Sequence, residues 1–156
     1  MESALILHNI RSVHNVGSIF RTADGAGVSK IILAGYSPSP IDQRGQFRKD
    51  FAKVSLGAEK TVPWSQVKTA ATAIKQLKKE GYTIVAVEVD KKSVPIFEYK
   101  PKQGQKLALV LGNEVKGISK ATLKQCDVIF EIPMRGKKES LNVSVAAGVA
   151  IFTLLH

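Results

Sequence analysis

Five runs rich in isoleucine, valine and leucine punctuate the chain, at residues 4–7, 30–34, 82–89, 106–111 and 127–132. Each is nearly continuous. A strand with one wet face alternates apolar and polar residues, whereas a strand covered on both faces does not. The runs therefore predict a mainly parallel sheet with helices on both faces. Parallel strands need long crossovers, and the intervening segments supply them. Val16, Ile19, Phe20 and Ala23 fall at helical spacing, with Gly25 and Gly27 as a stop. Val67, Ala71, Ile74 and Leu77 make a second apolar face, with Ser65 as its N-cap and Gly81 as its end. Ser119 opens a short third helix. The segment from Asn142 onward is apolar on nearly every side. It predicts a helix buried in the domain or against a second chain.

The alternation of strand and helix is that of an α/β fold. The 156 residues contain no repeat, linker or low-complexity tail, which fits a single domain over residues 1–156. Residues 43–58, QRGQFRKDFAKVSLGA, break the rhythm. They read as a functional loop carrying a short helix, with Phe47 and Phe51 expected in the core.

Charge narrows the function. The 23 Lys and Arg against 13 Asp and Glu leave a net charge of +10. Such an excess points to a polyanionic partner, most simply nucleic acid. Cys126 stands alone, so no internal disulfide forms and a reducing compartment is expected. The longest apolar run, residues 143–155, is shorter than the roughly 20 residues a membrane span needs. The opening MESALIL carries an acid where a signal peptide would be basic. A cytoplasmic protein with no membrane partner is the expectation.

Ligands of open α/β sheets bind beyond the carboxyl ends of the strands. Three such ends concentrate polar residues and glycine: residues 8–27, 111–119 and 132–144. The first strand is not followed by G-x-G-x-x-G, and no Walker loop is present, which argues against an ordinary dinucleotide or nucleoside triphosphate site. CxxC and HExxH are absent and the three histidines are scattered, so no metal is expected.

The three segments resemble the ordered motifs of the SpoU (TrmH-type) RNA ribose 2′-O-methyltransferases of the SPOUT superfamily. The first, N-x-R-x-x-x-N-x-G-x-x-x-R-T, is matched by Asn9, Arg11, Asn15, Gly17, Arg21 and Thr22. The second, L-G-N-E-x-x-G-I, is matched from Leu111 to Ile118. The third is matched by Ile132, Pro133 and Met134 and then by SLNVS from Ser140. The resemblance covers almost the whole chain. It implies a deep C-terminal trefoil knot, S-adenosylmethionine bound in it, and a homodimer with its active site near the subunit interface. It also implies methylation of a ribose in tRNA or rRNA. A non-catalytic RNA-binding protein on the same scaffold, and a base methyltransferase of the same superfamily, stay open as alternatives.

By resemblance, Val87, Gly112, Ile132, Met134 and Leu141 contact S-adenosylmethionine, with Gly112 and Gly117 expected to let backbone approach it. Arg21, Asn15, Glu114, Ser140 and Asn142 match the polar active-site positions. Arg21 is the signature residue. Arginine keeps its proton up to about pH 12, so it activates a ribose hydroxyl more readily as a fixed cation than as a base. Its ordinary alternatives are a surface role or a salt bridge to Asp24 or Glu114. Asn15 is alternatively an N-cap, and Glu114 an orienting partner of Arg21 or a cap of the next turn. Arg11 is a candidate phosphate contact. Arg44, Arg48, Lys49 and Lys53 in the irregular loop, and Arg135 with Lys137 and Lys138, are the expected RNA grip.

Overall fold

The computed structural model describes residues 1–156. Seven strands form one sheet in the order β3-β2-β1-β6-β4-β7-β5, every neighbouring pair parallel. The strands are β1 (Ser3–His8), β2 (Lys30–Ala34), β3 (Trp64–Val67), β4 (Tyr82–Val87), β5 (Val94–Pro95), β6 (Lys106–Leu111) and β7 (Val128–Glu131). The helices are α1 (Val13–Ala26), α2 (Lys49–Ser55), α3 (Ala58–Thr61), α4 (Ala70–Lys79), α5 (Lys120–Gln125) and α6 (Val143–Leu155).

Successive side chains of a strand point to opposite faces, and both faces here are buried. Leu5, Leu7, Ile31, Leu33, Leu107 and Leu109 pack in one core cluster with residues of α1, α2, α3 and α6. Ala4, Ile6, Ile32, Ala34, Ala108 and Val110 pack in a second, with Ala73, Ile74 and Leu77 of α4. This double burial explains why the five central runs are continuous. The edge strands β3 and β5 leave no such run in the sequence, for the converse reason. Ser65 and Gln66 of β3 are exposed, and β5 is two residues long and includes Pro95. Short edges of this kind protect a sheet from pairing with a foreign strand.

Three local expectations change. Ser65 lies in β3 and caps nothing; Thr69 caps α4 by accepting from the Thr72 N–H. Ser12, not Asn15, caps α1, its Oγ accepting from the Asn15 N–H at 3.1 Å. Phe51 is fully buried and meets Phe20 edge-on at 5.2 Å, but Phe47 is 48% exposed under Lys60 Nζ, 5.0 Å from its ring centroid. Only one of the two phenylalanines is therefore a core residue, because α2 begins after Phe47 and presents one face to α1.

Two further helices are capped by side chains at their starts. Ser119 caps α5 and Asn142 caps α6, each through its side-chain oxygen. Helix α6 packs on α1 and the sheet through Ala147, Ala150, Ile151 and Leu154, and leaves Val145 and Phe152 half exposed. No helix is long and apolar enough to cross a membrane. Cys126 is half-buried, and burial, with Asp127 adding to it, pushes its thiol up to about 11. It packs against the second core cluster, and a thiol held protonated in this way is in the state of a packing residue.

Candidate active site

Strands β4, β6 and β7 end at one cavity of about 750 Å³. Residues 87–90 leave β4 along one side. Residues 111–120 fold over from β6. Residues 131, 132, 134 and 139–143 descend from β7 toward α6. All five residues expected to contact a cofactor, Val87, Gly112, Ile132, Met134 and Leu141, line this space. So do Glu114, Ser140 and Asn142.

The polar motif residues brace one another. Glu114 accepts from the backbone N–H groups of Arg11 and Ser12, both at 2.9 Å, and from Asn15 Nδ2 at 3.0 Å. Asn15 Oδ1 accepts in turn from Asn142 Nδ2 at 3.2 Å. Asn142 Oδ1 accepts from the Ser144 N–H at 2.9 Å at the head of α6. One chain of side chains thus joins the ends of β1 and β6 to the start of α6. Burial alone would raise the Glu114 pKa, but the two backbone donors and the Asn15 amide outweigh it and hold the carboxyl below its ordinary range. Its charge is spent on the unpaired N–H groups at the start of α1, where a helix favours an anion.

Arg21 stands apart from this brace. It is exposed, and it lines a separate groove with His14, Ser18, Thr22, Lys53, Val54 and Phe152. Six residues along a helix turn the chain by about 600°, so Arg21 and the buried Asn15 project from different sides of α1. Neither expected partner pairs with Arg21. Asp24 accepts from Thr61 Oγ1 at 2.6 Å, and Glu114 holds the head of α1. The chain's four ion pairs do not include Arg21. Within one chain, the cavity and the signature arginine occupy distinct depressions.

Two motif glycines admit close approach by the chain itself. A Cβ at Gly17 would lie 3.1 Å from Val54 Cβ and 3.2 Å from the Phe51 carbonyl. Its space is taken by α2, so no ligand enters there. A Cβ at Gly112 would fall 2.6 Å from the Gly117 carbonyl carbon and 2.7 Å from Ile118 N. The absent side chain lets the loop close on itself.

Two contributors carry roles that the sequence alone does not assign. Asn113 is buried; it donates to the Asn9 carbonyl at 2.9 Å and the Tyr36 hydroxyl at 3.1 Å, and accepts from Val115 and Lys116 N–H groups. Its neighbours in the motif masked this loop-folding role. Glu88 sits at the end of β4, where a continuous apolar run gave way to EVD, and its carboxylate accepts from Val89 and Ile118 N–H groups, both at 2.9 Å. An acid terminating a buried strand at a ligand-binding edge was the available signal.

Among the expected RNA-binding residues, Lys53 shares the Arg21 groove. Arg11, Arg44, Lys49 and Arg135 are exposed. Arg48 is engaged by Asp50 through two hydrogen bonds, at 3.1 and 2.8 Å, and that pairing raises its pKa. It is less free than the others to meet a phosphate.

Comparison with known proteins finds relatives in sequence and in fold. The model of the SpoU rRNA Methylase family matches residues 2–152. The 23S rRNA (guanosine-2′-O-)-methyltransferase RlmB of Escherichia coli is 37% identical over 150 residues, 95% of this chain and 57% of that protein. An uncharacterized tRNA/rRNA methyltransferase of Archaeoglobus fulgidus is 35% identical over 96% of this chain and 62% of its own length. The chain thus spans about three fifths of the length of these relatives. Among solved structures, an AdoMet-bound rRNA methyltransferase from Sinorhizobium meliloti superimposes with a TM-score of 0.86 at 27% identity, covering 97% of this chain and 55% of that one. The A. aeolicus TrmH/SpoU tRNA modifying enzyme gives 0.83 at 27% identity, covering 99% and 74%.

Proposed function

The chain belongs to the SpoU rRNA methylase family, and from that premise we propose that it transfers a methyl group from S-adenosylmethionine to a ribose 2′-hydroxyl of tRNA or rRNA. The observation that carries the proposal is the charge of the cavity. Five carboxylates line it, Glu88, Asp90, Glu114, Glu131 and Glu139, against two lysines, Lys116 and Lys120. The protein as a whole carries +10. A net-acidic cavity in a basic protein repels a nucleoside phosphate and suits a ligand with a net positive charge. S-adenosylmethionine has that charge, through its sulfonium and ammonium groups. The volume lies within the range of small-molecule sites, and the mixture of apolar side chains with loop backbone matches a nucleoside.

S-adenosylmethionine supplies an electrophilic methyl group. Val87, Ile132 and Leu141 would bound its adenosine, with Gly112 and Met134 beside them. Asn15, Glu114 and Asn142 hold the three motif segments in register, and Ser140 presents a hydroxyl at the cavity edge. The ribose hydroxyl must shed its proton as the new bond forms. Arg21 assists as a cation, stabilising the developing alkoxide or gripping the adjacent phosphate with its planar fork. Arg11, Lys53, Arg44, Lys49 and Arg135 attract the RNA backbone, with Arg48 contributing less.

A homodimer is part of the proposal. Its support is the separation of Arg21 from the cavity within one chain and the half-exposed Val145 and Phe152 on α6. A second copy laid on this face would bring an Arg21 groove toward the rest of the site. We also propose the deep trefoil knot. Strand β6 inserts between β1 and β4 and β7 between β4 and β5, and the segment from β7 to α6 lines the same cavity as residues 111–120, which supports that threading. A tRNA or rRNA substrate implies a cytoplasmic site of action.

Calorimetry tests the proposal. The folded chain is expected to bind S-adenosylmethionine and to ignore ATP. Binding of ATP in preference, or of neither, would overturn it.

A further inference from the structure

We propose that Glu88 is a positioning residue that locks the loop of residues 111–120 into its ligand-binding shape, and that Gly117 is glycine in order to admit its carboxylate. The inference rests on the S-adenosylmethionine site proposed above and assigns a role that the three sequence motifs do not contain.

The contacts of this carboxylate and the two loop glycines interlock. Glu88 Oε2 accepts from the Ile118 N–H and Oε1 from the Val89 N–H. The carboxylate thereby ties the far end of the β6 loop to the end of β4, across the cavity edge. Gly117 has φ of +66°, and a Cβ there would overlap Glu88 Oε2. Gly112 is in turn pressed against Gly117 and Ile118, where a Cβ would meet their backbone at 2.6–2.7 Å. Remove the carboxylate and the Ile118 N–H loses its acceptor, so the loop loses its attachment to β4. Glu114 holds the other part of the same loop to α1. The loop is therefore held at two points by two carboxylates, each aimed at backbone N–H groups, and charge-assisted bonds of this type are among the stronger ones.

The test is a double-mutant cycle read by calorimetry with S-adenosylmethionine and by hydrogen exchange of the Ile118 amide in the ligand-free protein. Glu88→Ala is expected to weaken binding about tenfold and to speed Ile118 exchange by a similar factor, from loss of a charged hydrogen bond. Gly117→Ala should weaken binding in the native background, through both overlap with Glu88 and a left-handed backbone that alanine resists. In the Glu88→Ala background the overlap disappears, so the same substitution should cost less. Glu88→Gln, which retains one acceptor and the native volume, should fall between Glu88→Ala and the native protein. Additive penalties, or a Glu88→Ala protein with native affinity and native Ile118 exchange, would overturn the inference. If the native chain bound no S-adenosylmethionine, the functional reading would fall; the faster Ile118 exchange would still be required of Glu88→Ala, and its absence would overturn the lock separately.

Discussion

Replacing Glu114 by glutamine isolates what its charge contributes. In the native chain Oε1 accepts from the Arg11 N–H, while Oε2 accepts from the Ser12 N–H and Asn15 Nδ2. Glutamine keeps the shape but has one acceptor oxygen. Placed at the Oε2 position, it retains two bonds and turns its amide N–H₂ toward the Arg11 N–H, donor against donor. The lost bond lies at the surface, where water partly replaces it, so the cost is about 1 kcal/mol rather than the full penalty of a buried orphan. For a chain of this size that lowers Tm by roughly 2–4 °C. The difference should depend on pH in a definite direction. The folded Glu114 pKa lies below the ordinary glutamate value of 4.5, so its charge contributes stability that is fully present above about that pH. The contribution is lost as pH falls through the lower folded value. Protonated Glu114 then resembles glutamine. Thermal melts of both proteins from pH 3 to pH 7 should show a gap near neutrality that closes in acid. A gap of constant size across the range, or no gap at pH 7, would refute the charged-brace argument.

Other substitutions separate packing from chemistry. Phe51→Ala removes a fully buried ring from the α1–α2 contact and should cost about 3–5 kcal/mol, read as a fall in Tm of roughly 10 °C. Arg21→Lys should lower methylation at least about tenfold, since a point charge lacks the planar fork, while S-adenosylmethionine affinity measured by calorimetry stays native; near-native methylation would remove the need for the guanidinium. Lys53→Ala should weaken RNA binding across sequences and reduce the slope of log affinity against log salt by about one, measured by fluorescence anisotropy with a tRNA transcript. An unchanged slope would place the phosphate contacts elsewhere.

The sheet was legible because both its faces are buried. Double burial writes five strands into the sequence as unbroken apolar runs, whereas β3, with Ser65 and Gln66 exposed, and the two-residue β5 leave no such trace. The cavity lining was legible for a different reason. Its residues came from the motif resemblance; Val87, Gly112 and Ile132 end or follow β4, β6 and β7, whose parallel register carries them to one edge, while Met134 and Leu141 lie on the segment between β7 and α6. What spacing could not reveal was the partner of each polar group. Asn15 and Arg21 share a helix and a motif, yet their angular separation sends one into the brace and the other to a groove. Glu114 joins Arg11 and Ser12 across 103 and 102 positions, a contact that only the adjacency of β1 and β6 creates. Gly17 and Gly112 announced close approach correctly but not what approaches. Helix α2 fills the first space and the chain's own loop the second.

Ribose methylation from S-adenosylmethionine is tested by following the methyl group itself. The folded chain, incubated with S-adenosylmethionine carrying a deuterated methyl and with mixed unmodified tRNA and rRNA, is followed by digestion to nucleosides and mass spectrometry. Label is expected on the ribose 2′-oxygen of a defined nucleotide. Label on a base, or none from a protein that binds both S-adenosylmethionine and RNA, would contradict it.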